Sequence, residues 1–118
     1  MSSIDLNTLK QRLREFSDAR DWDQFHSPKN LAMALSVEIA EIVEHFQWLS
    51  EEQSKNLSEK KLDEVEAELA DTFIYLIRLS DKLGIDLFAA TEKKIAVNEQ
   101  KYPVDKARGN AKKYNEFD

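Results

Sequence analysis

Two short stretches, EIAE at positions 38–41 and ELAD at 68–71, each set a pair of acidic residues three apart in an otherwise apolar run. Residues i and i+3 share a helix face, so Glu38 and Glu41 converge if their segment is helical, as do Glu68 and Asp71. At roughly 100° per residue, Leu31, Leu35, Ile39, Ile42, Val43 and Phe46 form one apolar stripe and Met33, Val37 and Ala40 a second, with both glutamates between them. A helix apolar on most of its surface is a buried one, and an isolated buried carboxylate costs several kcal/mol. Something must compensate the charge. Four carboxylates on two facing helices, in a chain with no cysteine, make an oxygen-rich site suited to Mg²⁺ or Mn²⁺. One Glu-x-x-Glu alone is commonplace on a solvated helix; two such pairs, both in apolar settings, favour a metal site.

The two segments also match each other. EIAEIVEHF (38–46) and ELADTFIYL (68–76) align without gaps, with His45 opposite Tyr75. A di-iron bundle would need Glu-x-x-His on two helices, whereas His45 follows Glu41 by four residues and the second pair ends in Asp71. Nucleophile chemistry has no support, since there is no cysteine and no Gly-x-Ser-x-Gly context for the two histidines. Trp22, Phe25 and His26 lie in a polar segment and Trp48 at the exit of the first carboxylate helix, where flat rings can stack on a nucleobase. Lys94 and Asn98, one helical turn apart, and Arg108 carry donors suited to phosphate oxygens.

The elements that must position these residues are helices. Of 118 residues, 42% are hydrophobic and 34% charged, with only 2 Gly and 2 Pro, which predicts an all-α fold in one domain over 1–118. The spacing of Leu6, Leu9, Leu13 and Phe16 predicts a helix over about 4–20. A loop follows, and a second helix over about 28–49, with Ser27 as cap and Pro28 in its first turn. Residues 50–58 read as a connector ending in a capping Ser58, and a third, largely buried helix spans about 59–83. Gly84 closes it, Asp86 caps a fourth helix to about position 100, and the basic aromatic tail, about 101–118, is a loose end or a lid.

Two nearly all-round apolar helices cannot both be covered by two amphipathic neighbours in so short a chain, so a homo-oligomer is expected, a dimer at least. The charged start MSSIDLNTLKQRLRE has no apolar signal core, and no apolar run reaches the roughly 20 residues that span a bilayer. A cytoplasmic protein without a membrane partner is expected. A net charge of −6 argues against binding a nucleic-acid polymer, which needs a basic face.

Together RDWDQFHSPKNL, EIAEIVEHFQW, ELADTFIYL, KKIAVNEQKYPV and RGNAKKY resemble the MazG-like all-α nucleoside triphosphate pyrophosphohydrolases, and within them the short dCTP pyrophosphatase branch. The resemblance covers nearly the whole chain. It implies a four-helix bundle assembled as a dimer or a dimer of dimers. It implies Glu38, Glu41, Glu68 and Asp71 as Mg²⁺ ligands, and Trp22, Asp23, Gln24, Phe25, His26, Trp48 and Tyr75 as the lining of a nucleotide pocket. Lys94 and Asn98 would handle phosphates. The implied reaction is cleavage of a nucleoside triphosphate, dCTP or another deoxynucleotide, to the monophosphate and pyrophosphate by a metal-activated water. Val37 and Ala67 depart from the pattern, standing where many members carry a further Glu, and Leu13 stands where the related mammalian enzyme has a histidine. The reading from another class is a non-catalytic helical oligomer whose carboxylates are surface charges.

Overall fold

The computed structural model describes residues 4–117. Among the described residues six α-helices follow in order: α1 (Leu6–Ala19), α2 (Pro28–Phe46), α3 (Glu51–Ser54), α4 (Glu59–Lys82), α5 (Leu87–Lys101) and α6 (Val104–Ala107). Single 3₁₀ turns lie at Asp23–Phe25 and Tyr114–Glu116, and no strand occurs among the described residues. None of the described helices is long and apolar enough to cross a membrane.

Side-chain caps set the helix starts. Asp5, Ser27, Ser58 and Asp86 each accept a backbone N–H three residues on, satisfying a donor that the first turn leaves free. Within the connector the sequence reading missed α3, which a reciprocal capping box starts: Ser50 accepts from the Gln53 amide, and the Gln53 side chain accepts from the Ser50 amide. Gly84 takes up φ 68° beyond the end of α4, the left-handed conformation a helix stop of this type needs.

After Gly84 the chain divides into two compact units. In the first, α2 and α4 form the main packed pair and α1 lies against α4. α2 and α4 run in opposite directions, since His45 meets Glu68 while His26, just ahead of α2, meets Arg78. Leu6, Leu31, Val65 and Ile77 are buried at the core. A bidentate Arg14–Asp81 pair, 2.7 Å from Nε and 2.5 Å from Nη2, ties α1 to the end of α4. In the second unit the tail is folded back rather than loose: Tyr102, at the end of α5, meets Tyr114 and Phe117 edge to face, with Lys101 over the Tyr114 ring.

The expectation that α2 and α4 are largely buried fails for the single chain. The covered arc of α2 centres on Leu31 and includes Leu35 and Ile42 together with Glu38, Glu41 and His45, whereas Met33, Val37, Ile39 and Val43 are exposed. On α4, Leu62, Leu69 and Phe73 are exposed as well. Within one chain α2 packs chiefly on α4, and α4 on α2 and α1, which leaves part of the apolar surface of each open.

Candidate functional site

The face that α2 turns toward α4 carries the acids. Glu38 and Glu41 stand among Leu31, Leu35 and Ile42, and Glu68 occupies the covered arc of α4, while Asp71 is exposed at its edge. Burial raises Glu38 above the ordinary carboxylate range, and the negative charges of Glu41, Asp71 and Glu68 push it further the same way. Its Oε2 is buried without a hydrogen-bond partner. Glu68 is approached by His45, whose Nε2 lies 2.6 Å from Oε2. That contact is short but lacks hydrogen-bond alignment, since the same oxygen has no aligned donor. His45 Nδ1 in turn faces Lys61 Nζ at 3.2 Å.

Among the described residues no three His, Asp or Glu side chains are gathered into a ready chelate. Four like charges in one neighbourhood repel, and Glu68 is engaged by His45. The donor set nevertheless fits a hard divalent cation. It is all carboxylate, it includes a buried oxygen with an unused lone pair, and its mutual repulsion is what such a charge would relieve.

A cavity of about 490 Å³ runs from Glu38 and Asp71 to Trp22, His26, Tyr75 and Arg78, with Leu13, Phe16, Ser17 and Ile74 completing its wall. That volume is in the range of small-molecule sites. Its aromatic end is set by how α1 stops. The Trp22 amide bonds back to Ser17 O and the Asp21 amide to Asp18 O, a Schellman arrangement that requires the left-handed Asp21, φ 54°. Gln24 holds this turn by donating to the Asp21 carboxylate and carbonyl. Trp22 is thereby brought against Phe16, ring centroids 5.7 Å apart, at the cavity wall.

Of the other residues expected at the site, Tyr75 lines the cavity, one turn beyond Asp71. Asp23 is paired with Lys82 and with Arg78, which hold its carboxyl below the usual range, the Lys82 contact most of all. Phe25 is exposed, and its carbonyl accepts from Asn30. Trp48 is 86% exposed beyond the end of α2 and outside the cavity wall. Lys94 and Asn98 are exposed on α5 in the second unit. Sequence reasoning missed Arg78, which is only 4% exposed, pairs with Asp23 and reaches both His26 and Asp81. The signal was there: a lone arginine inside the apolar run IYLIRL, 74–79.

The chain belongs to the MazG-like family, whose profile matches residues 33–117. It is similar to dCTP pyrophosphatase 1 of Rattus norvegicus, 38% identical over 114 residues that make up 95% of this chain and 67% of that protein. The Homo sapiens protein of the same name is 35% identical over 114 residues, with the same shares of each chain. Among solved structures, a pyrophosphatase from Archaeoglobus fulgidus superposes with a TM-score of 0.80 at 41% identity, covering 87% of this chain and 96% of that one. The family resemblance read from the sequence is borne out, and so is the all-helical fold.

Proposed function

We propose that this nucleoside triphosphate pyrophosphohydrolase hydrolyses dCTP or a closely related deoxynucleotide to the monophosphate and pyrophosphate, acting in the cytoplasm as a homodimer or homotetramer with residues 1–118 as one catalytic domain. The observation that carries the reading is the buried, partnerless Glu38 Oε2 at one end of a nucleotide-sized cavity whose other end is aromatic. The relatives' names, dCTP pyrophosphatase 1, support dCTP as the first substrate to try.

Glu38, Glu41, Glu68 and Asp71 would hold Mg²⁺, or Mn²⁺ in its place. When bound, such an ion neutralises the triphosphate and polarises the α-phosphoryl group. The chain's own residues do the rest. Trp22 and Tyr75 offer ring faces at the cavity wall for the base, and Trp48 offers a third, solvent-exposed one. Asp23, Gln24 and Phe25 shape the turn that presents Trp22 and His26. Lys94 and Asn98 carry the donors that suit the outer phosphates. Attack by water at the α-phosphorus needs no protein nucleophile, only a carboxylate of the quartet to accept the water's proton.

The test is a panel of canonical and 5-methylated triphosphates assayed in ¹⁸O-water with Mg²⁺. Monophosphate carrying the label, with unlabelled pyrophosphate, is expected, and dCTP should be among the best substrates. Label in pyrophosphate would place attack at the β-phosphorus. Orthophosphate with a diphosphate would place it at the γ-phosphorus, and either result overturns the reading.

A further inference from the structure

Arg78 lies one turn beyond Tyr75 and Ile74 on α4, buried and lining the cavity. A guanidinium is always protonated and only donates, so whatever it bonds must accept. Its Nη2 group lies 3.3 Å from Asp23 Oδ1 and 3.3 Å from His26 Nδ1. His26 Nδ1 must therefore carry a lone pair, and the neutral ring keeps its proton on Nε2. No described side chain bonds to that Nε2–H, and His26 itself lines the cavity. The Nε of Arg78 is likewise buried and partnerless beside it.

The charged groups around the ring agree with this state. Arg78 and Lys82 face it from α4 and Asp23 from the turn before α2; burial first, and the Arg78 charge second, hold His26 below the usual histidine range. Asp23, the one group there that favours the charged ring, is itself paired with Lys82 and Arg78 and is outweighed by burial and the Arg78 charge.

We propose that Arg78 is a positioning residue for the nucleotide: by donating to His26 Nδ1 it locks the ring as the neutral Nε2–H tautomer and so sets a fixed hydrogen-bond donor in the cavity wall for an acceptor atom on the edge of the nucleobase. The inference rests on the nucleotide reading given above. It gives the cavity a division of labour, with stacking surfaces that accept any base and one oriented donor that reads an edge.

Long-range ¹H–¹⁵N spectra of the full-length, ligand-free protein at pH 7.5 report the tautomer directly. His26 should show an unprotonated Nδ1 and a protonated Nε2; the Nδ1–H form, or an even mixture, overturns the proposal. Arg78→Lys keeps a charge for Asp81 but loses the rigid, planar guanidinium whose Nη2 donates to both Asp23 and His26. In that variant the ring should relax to a mixture of tautomers, and KM for the best triphosphate should rise about three- to tenfold with kcat within about twofold. His26→Ala should raise KM similarly, and the double variant should be no worse than the worse single one. Unaltered His26 spectra in Arg78→Lys, or single effects that multiply, would refute the coupling. Because the wild-type spectra need neither a variant nor turnover, they decide the tautomer even if Arg78→Lys fails to fold. Failure to turn over any triphosphate overturns the functional reading and the ring's proposed partner, and leaves the ligand-free spectra to judge the lock.

Discussion

Replacing Val37 by lysine tests whether a second copy of the chain covers the open faces of α2 and α4. Met33, Val37, Ile39 and Val43 are between 47 and 59% exposed in the single chain. Fully burying such a side chain is worth about 1.5–3 kcal/mol, so the exposed half of each is worth about 1 kcal/mol, or about 8 kcal/mol for the four residues of both copies. Association itself costs about 4–15 kcal/mol, so α2 alone gives little. Adding Leu62, Leu69 and Phe73 of α4 brings the gross gain to about 14 kcal/mol, which leaves micromolar affinity for an association cost of about 6 kcal/mol. Val37→Lys removes about 1 kcal/mol in each copy, about 30-fold in Kd, before the cost of burying an ammonium is counted. The single chain should tolerate it, since the new charge lies one turn from Glu41. Sedimentation velocity between about 0.5 and 50 μM, with Val43→Lys as a second probe on another side of α2, should show a shift toward monomer for at least one variant. A wild-type monomer at the top of that range, or two variants with unchanged mass, would refute the estimate.

Glu38→Gln should raise Tm in metal-free buffer at pH 7. Its folded pKa is raised, so its stabilising contribution is complete below the unfolded value near 4.3 and is lost as pH climbs through the folded one; the gain should therefore vanish in scans near pH 4. The same variant should lose nearly all turnover at saturating Mg²⁺. Leu31→Ala, at a site 1% exposed, should cost about 2–5 kcal/mol in urea unfolding with little change in helix content below the transition. Trp48→Ala should leave stability within about 0.5 kcal/mol, being exposed, while raising KM more than it lowers kcat. Collapse of kcat at constant KM would mark Trp48 as a support of the carboxylates instead.

Helix existence and helix starts were legible because both rest on local chemistry. Ser27 with Pro28, Ser58, Gly84 and Asp86 act where the sequence places them, and α4 begins at the expected Glu59. α3 was legible in principle, since Ser50 and Gln53 hold the spacing of a capping box, but four residues give no periodicity to notice. The burial of α2 was misjudged because an apolar period marks residues that favour leaving water without saying what covers them, and α4 covers only one arc. Glu38 and Glu41 could be seen to share a face, and that this face is the inward one follows only once α4 is in place. Arg78 stood out in the sequence as the lone arginine of IYLIRL, but what it binds did not. Its partners Asp23 and His26 lie more than fifty positions earlier, and nothing in the local pattern joins them.

The unpaired oxygen of Glu38 between α2 and α4 sets a trap for anyone breeding this chain. A library screened for heat resistance would reward neutral residues at 38, because each removes a repelled charge from a covered position. Winners of such a screen would be sturdier and inert. Lineages kept under selection for turnover should instead hold the acid and gather their stabilising changes elsewhere, so the frequency of glutamate at this one position would record which pressure a population had experienced.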